Sequence, residues 1–136
     1  MFLELDQMVD EFTRQPMRAK FSFDPDMPAV ITVEFLAERG PSLIWHIGRG
    51  LLHLGLSAMS GSGDVRMWPT LPGEQPSSWL LLESQEVEAL FEVPTTALGE
   101  WLDATYRVAS SMTEMDGLDW DAFLGELLDD PGAGAP

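Results

Sequence analysis

Five stretches of this chain alternate apolar and polar residues with a period of two, and most are joined by short, turn-rich links. Alternation at that period marks half-buried strands. Over residues 18–23, Ala19, Phe21 and Phe23 share one face while Arg18, Lys20 and Ser22 share the other. Ile31, Val33 and Phe35 oppose Val30, Thr32 and Glu34. Leu43, Trp45 and Ile47 form a third face. Val65 and Met67 oppose Asp64, Arg66 and Trp68, and Val87, Ala89, Phe91 and Val93 oppose Glu86, Glu88, Leu90 and Glu92. The segment 78–83 is apolar on both faces and reads as a central, doubly covered strand, and residues 2–8 read as a weaker first strand.

The links carry turn chemistry: Asp24–Pro28, Glu38–Pro41, and a loop holding Pro69, Pro72, Gly73 and Pro76. Short links join antiparallel neighbours, because parallel pairs need long crossovers. Three helical segments punctuate the strands. The first follows the fourth strand and is weakened by Gly48, Gly50 and Gly55. The second follows Pro94, with Leu98, Trp101, Leu102, Thr105 and Tyr106 on one stripe and Thr95 or Thr96 as its cap. The third starts at Asp119, with Trp120, Phe123, Leu124, Leu127 and Leu128 as its stripe. The predicted class is α+β: antiparallel sheets of about seven strands with two to three helices. One domain is expected over residues 1–130, and the Pro- and Gly-rich residues 131–136 read as a disordered tail.

Charge excludes several functions. The 136 residues carry 23 acidic and 7 basic side chains, a net charge of −16. Such a polyanion repels phosphate backbones and anionic lipid. Residues 112–136 hold seven acids and no base, an acidic segment on a less acidic body. There is no cysteine, so thiolate chemistry and disulfides are excluded. No apolar run approaches the roughly 20 residues that span a membrane, and the acidic start lacks the basic region of a signal peptide. His46 and His53 come without a third ligand pattern, so no metal site is expected.

The stretch Ser60–Pro69, "SGSGDVRMWP", invites a catalytic reading and fails it. It lacks the lysine of a phosphate loop and runs from helix into strand, the reverse of a dinucleotide loop. Ser60 and Ser62 do not sit in a nucleophile elbow. The structural reading places Gly61 at a left-handed helix C-cap and lets Gly63 turn the chain. Asp64 and Arg66 then share a strand face, paired with each other or across the sheet, with Trp68 beside them.

Those residues resemble the G-x-G-D-V-R-x-W-P signature of SsgA-like proteins, regulators of sporulation and cell division in filamentous actinobacteria. Gly61, Gly63, Asp64, Arg66, Trp68 and Pro69 carry the match. The segments 24–35, 45–52, 83–102 and 118–128 resemble other family segments in the same order. Val87 stands where the family has glycine, and Gly48 where alanine is usual. The resemblance implies a fold similar to the whirly-type single-stranded DNA binders, assembled as a trimer. It implies a cytoplasmic, non-enzymatic adaptor without cofactor, acting at division septa with the tubulin-like GTPase FtsZ or another SsgA-like protein. Trp79, Leu80, Leu82 and Leu90 are candidates for an oligomer or partner surface, because they interrupt polar strand faces. The competing class, nucleic-acid binding, rests on the fold likeness and is opposed by the net charge. A hydrolase or lyase using Asp64, Arg66 and a histidine is the remaining alternative.

Overall fold

The computed structural model describes residues 1–37, 41–71, 75–85 and 88–110. Among the described residues seven strands and two helices follow one another as β1 (Phe2–Met8), β2 (Arg14–Phe23), β3 (Val30–Leu36), β4 (Leu43–Gly48), α1 (Arg49–Gly55), β5 (Val65–Pro69), β6 (Ser77–Glu83), β7 (Glu88–Pro94) and α2 (Thr95–Val108). All pairings are antiparallel, in the order β4-β3-β2-β1-β7-β6-β5. Two meanders, β1–β4 and β5–β7, are thus joined through β1 and β7, the first and last of these strands in chain order. β1, the weakest strand by alternation, ends at the centre of the sheet.

The sheet curls until its two halves meet. β3 and β7 are separated by β2 and β1, so a flat sheet would hold them about 14 Å apart. Yet the rings of Phe35 and Phe91 stack at 4.4 Å, 16° from parallel. The enclosed face carries Ala19, Phe21, Ile31, Val33, Phe35, Ile47, Leu80, Leu82, Phe91 and Val93, all at most 2% exposed. Leu98 and Leu102 of α2 and Leu52 of α1 complete this core. Trp101 meets Phe21 edge-on at 6.1 Å. The predicted faces of β2, β3 and β5 therefore hold, as does that of β7 at Ala89, Phe91 and Val93, while Glu86 and Val87 lie outside the described residues.

Three local expectations change. Leu43 is 37% exposed, because β4 is an edge strand and its first residues run past the core that receives Ile47. Neither Thr95 nor Thr96 caps α2: Pro94 takes the N-cap position with extended backbone and no side-chain bond is made. Gly61 does have a left-handed φ of 85°, but α1 has already ended at Gly55. The third predicted helix and the tail lie outside the described residues.

Candidate functional site: the signature junction and the outer sheet face

The signature residues form a closed loop. Ser60 and Met67 exchange two backbone hydrogen bonds, each 2.8 Å, which pins both ends of the 61–66 stretch. A Cβ on Gly61 would lie 2.2 Å from the Val65 carbonyl oxygen, so glycine is required by space as well as by φ. At Gly63 an added Cβ would meet nothing. The loop sits where α1 approaches β5: a Cβ on Gly55 would stand 2.5 Å from Met67 Cγ, and Ser78 Oγ donates to the Gly55 carbonyl at 2.8 Å. Met67 is fully buried.

Arg66 and Asp64 part company. Arg66 is half-buried and its guanidinium pairs across the sheet with Glu83. Its Nε is buried with no partner among the described residues. The Asp64 carbonyl accepts the Glu83 amide at 2.8 Å, while its exposed side chain makes no hydrogen bond or ion pair among the described residues. Of the two pairings open at the sequence level, the cross-sheet one holds for Arg66 alone. Pro69 falls on edge strand β5, where a missing N–H costs little.

Trp68 lies opposite Trp79 in register, and the register extends this row across the outer face to Glu92 and Asp6. The adjoining row is Arg66, Leu81, Leu90 and Met8. Trp68, Trp79, Leu81, Leu90 and Met8 are half-buried side chains forming one apolar stripe away from the helices. Leu80 and Leu82 do not belong to it. They are 1% and 0% exposed and point into the core, because β6 is apolar on both faces and alternation alone cannot assign its parity. Arg14 frames the stripe: it pairs with Glu92, lies 3.9 Å from Asp6 and stands 6.0 Å from the Trp79 ring. Ser77 Oγ donates to the same Glu92 carboxylate at 2.7 Å.

The histidines are apart in role. His46 Nδ1 lies 3.2 Å from Thr32 Oγ1 on the outer face of β4. His53 Nε2 lies 3.4 Å from Asp103 and its ring meets Tyr106 edge-on at 5.1 Å, tying α1 to α2. Among the described residues no three His, Asp or Glu side chains converge as metal ligands.

Arg49 is the residue that sequence reasoning missed. It is fully buried at the start of α1. Its guanidinium donates to the Thr105 carbonyl at 3.1 Å and the Ser110 carbonyl at 3.3 Å, and lies 3.9 Å from the Tyr106 ring and 5.2 Å from that of Phe23. It welds α1, α2 and β2 together. Sequence offers only a weak signal: an arginine among glycines at the end of a strand, where a surface position is the ordinary expectation.

The family described as the Streptomyces sporulation and cell division protein SsgA matches residues 17–114. The chain belongs to this family. Among its SsgA-family relatives is the sporulation-specific cell division protein SsgB of Salinispora tropica, 38% identical over 118 residues, covering 85% of this chain and 82% of that protein. The SsgB of Streptomyces coelicolor is 32% identical, covering 93% and 92%. A solved structure from work relating SsgB mutations to longitudinal cell division during sporulation of Streptomyces coelicolor superposes with a TM-score of 0.81 at 30% identity, covering 87% of this chain and 93% of that one. An SsgA-like sporulation-specific cell division protein from Thermobifida fusca superposes at 0.78 with 28% identity, covering 93% and 92%. The α+β class and the SsgA family therefore stand together, and the relatives are named sporulation-specific cell division proteins.

Proposed function

We propose that this chain is a non-enzymatic regulator of sporulation-specific cell division. It acts in the cytoplasm as an oligomeric adaptor that brings FtsZ, or another SsgA-like protein, to the site of septation. The observation that carries this reading is its likeness, nearly end to end, to proteins named sporulation-specific cell division protein SsgB. Two features of the molecule support it. The signature's charged contact is architectural: Arg66 pairs with Glu83 and ties β5 to β6. The outer stripe around Trp79 and Leu90 is an apolar surface on a strongly anionic chain, as an assembly surface requires. No helix among the described residues is long and apolar enough to cross a membrane.

Co-sedimentation with polymerising FtsZ tests the adaptor role, alongside septum counts in sporulating cells lacking the gene. The expected results are association with the polymer and misplaced or missing sporulation septa. Normal septation with no association at any ionic strength overturns the reading. Micromolar binding to single-stranded DNA at low salt would replace it with the nucleic-acid alternative.

A further inference from the structure

The two end strands of the sheet, β4 and β5, are guarded very differently. At β5 the outward main-chain groups of Met67 are taken by Ser60, the Val65 carbonyl lies against the turn at Gly61, and Pro69 has no N–H. At β4 the Arg49 amide donates to the Ala29 carbonyl at 2.9 Å, and Ile47, Trp45 and Leu43 follow opposite Ile31, Val33 and Phe35. Bonded pairs alternate in an antiparallel ladder, so these residues bond β3 while the amides and carbonyls of Ile44 and His46 turn outward. The Thr32 and His46 side chains meet at 3.2 Å, as those of a non-bonded pair do. Ile44 and His46 make no further main-chain hydrogen bond among the described residues. The strand also lacks the usual guards of an edge. Leu43–Gly48 holds no proline and no lysine, arginine or carboxylate, and Leu43 and Ile44 are 37% and 55% exposed.

We propose that β4 receives an extended, cationic segment of a partner protein as an added strand. The open row of amides and carbonyls selects an extended backbone. Its alternate side chains fall beside Leu43 and Trp45 on one face and beside Ile44 and His46 on the other, so its centre is apolar. Charge selects its ends. The strand and turn that flank β4, residues 24–36, carry Asp24, Asp26 and Glu34 and no base, and none of the three acids makes an ion pair among the described residues. Arg49, at the end of β4, is buried. The bases Arg18 and Lys20 are set back on β2 and stand 5.6 and 5.9 Å from the Phe2 ring centre, towards β1. A second copy of this chain would bring sixteen further negative charges to the edge, and an acidic segment would meet the same field. The assignment gives the form of the partner in the adaptor reading above and rests on that reading.

The probe is an acetylated, amidated peptide of about nine residues, alternating valine and threonine with lysines at both ends. Full-length, isotope-labelled protein is titrated with it at low salt, up to about 1 mM, and read by amide NMR shifts and hydrogen exchange. Saturable shifts are expected at Ile44 and His46, with exchange of those two amides slowed about tenfold. The same peptide with glutamate in place of lysine should bind about tenfold more weakly. Methylating alternate backbone nitrogens of the peptide, each set in turn, should abolish binding for one set and spare the other, because a strand pairs with β4 along one edge only. Ile44→Pro removes an outward donor that the fold does not use and should weaken binding about fivefold or more, with circular dichroism matching the parent. Four results would each overturn the assignment: no shift up to about 1 mM, shifts centred on Trp79 and Leu90, indifference to methylation of either set, or equal binding of the glutamate peptide. So would a free parent chain that doubles in mass where Ile44→Pro does not, since the edge would then hold a second copy. A protein that binds no peptide yet co-sediments with FtsZ loses the added strand and keeps the adaptor role.

Discussion

A methyl group placed on Gly61 would stand 2.2 Å from the Val65 carbonyl oxygen, at a residue whose φ is already 85°. Both facts oppose every L side chain, so Gly61→Ala is expected to cost about 1–3 kcal/mol and to lower the thermal midpoint by several degrees. Gly63→Ala, two residues on, meets open space and is expected to stay within about 0.5 kcal/mol of the parent. The two melting curves together separate a backbone requirement from general loop sensitivity. Arg49 gives a second contrast at this scale. Its planar fork reaches two carbonyls while its face rests on Tyr106. Lysine keeps the charge but has neither fork nor plane, so Arg49→Lys should destabilise by about 1–3 kcal/mol in urea unfolding, despite being nominally conservative. A loss under 0.5 kcal/mol would show that the charge alone suffices.

Elements were legible in the sequence to very different degrees. The faces of β3 and β7 follow from alternation, since Thr32, Glu34, Glu88 and Glu92 leave a single way to bury Ile31, Val33, Phe35, Phe91 and Val93. β6 was ambiguous, because apolar residues at 79–82 satisfy both parities; only its pairing with β7 decides that Leu80 goes in and Trp79 out. The pairing of β1 with β7 could not be read at all, since it joins residues more than eighty apart and no periodicity encodes a distant partner. The curl follows from that pairing, and Phe35 against Phe91 is its main fastening. Phe91→Ala should therefore cost about 3–5 kcal/mol, a full core truncation. The Arg14 and Glu92 pair links β2 to β7 across β1 on the exposed side, and Glu92→Gln should cost no more than about 1 kcal/mol. At the β1–β2 hairpin, Asp10 accepts the Phe12 amide at 2.8 Å, and that hydrogen bond is the main cause holding its carboxyl below the ordinary aspartate range. A depressed folded value means the turn's contribution is present above the unfolded aspartate pKa and fades as pH falls through the folded one. A carboxyl NMR titration should place Asp10 below the ordinary aspartate range, and Asp10→Asn should remove this contribution to the pH dependence of stability.

For the whole molecule the deciding balance is between apolar surface and charge. Sixteen net negative charges on each 136-residue chain repel any second copy, and the repulsion extends over a Debye length of about 8 Å at physiological salt. On the stripe that carries Trp68, Trp79, Leu81 and Leu90, however, two acids are paired: Glu92 by Arg14 and Glu83 by Arg66. Association through the stripe would be driven by apolar burial and opposed by charge, that of Asp6 and Asp64 at its margins included. The two forces answer salt differently. An interface built on ion pairs weakens as salt rises; one built on apolar area between like-charged bodies strengthens. Light scattering of the full chain should therefore show mass increasing from about 20 mM to about 300 mM sodium chloride, towards a multiple of the single-chain mass. Trp79→Glu with Leu90→Glu should hold the protein at single-chain mass at both salts with unchanged circular dichroism, because neither side chain points into the core. Leu80→Glu should instead unfold it, because that residue is 1% exposed and a carboxylate there would be buried without a partner. If the double variant assembles like the parent, the outer stripe is not where copies meet, and the assembly surface must be sought away from β5, β6 and β7.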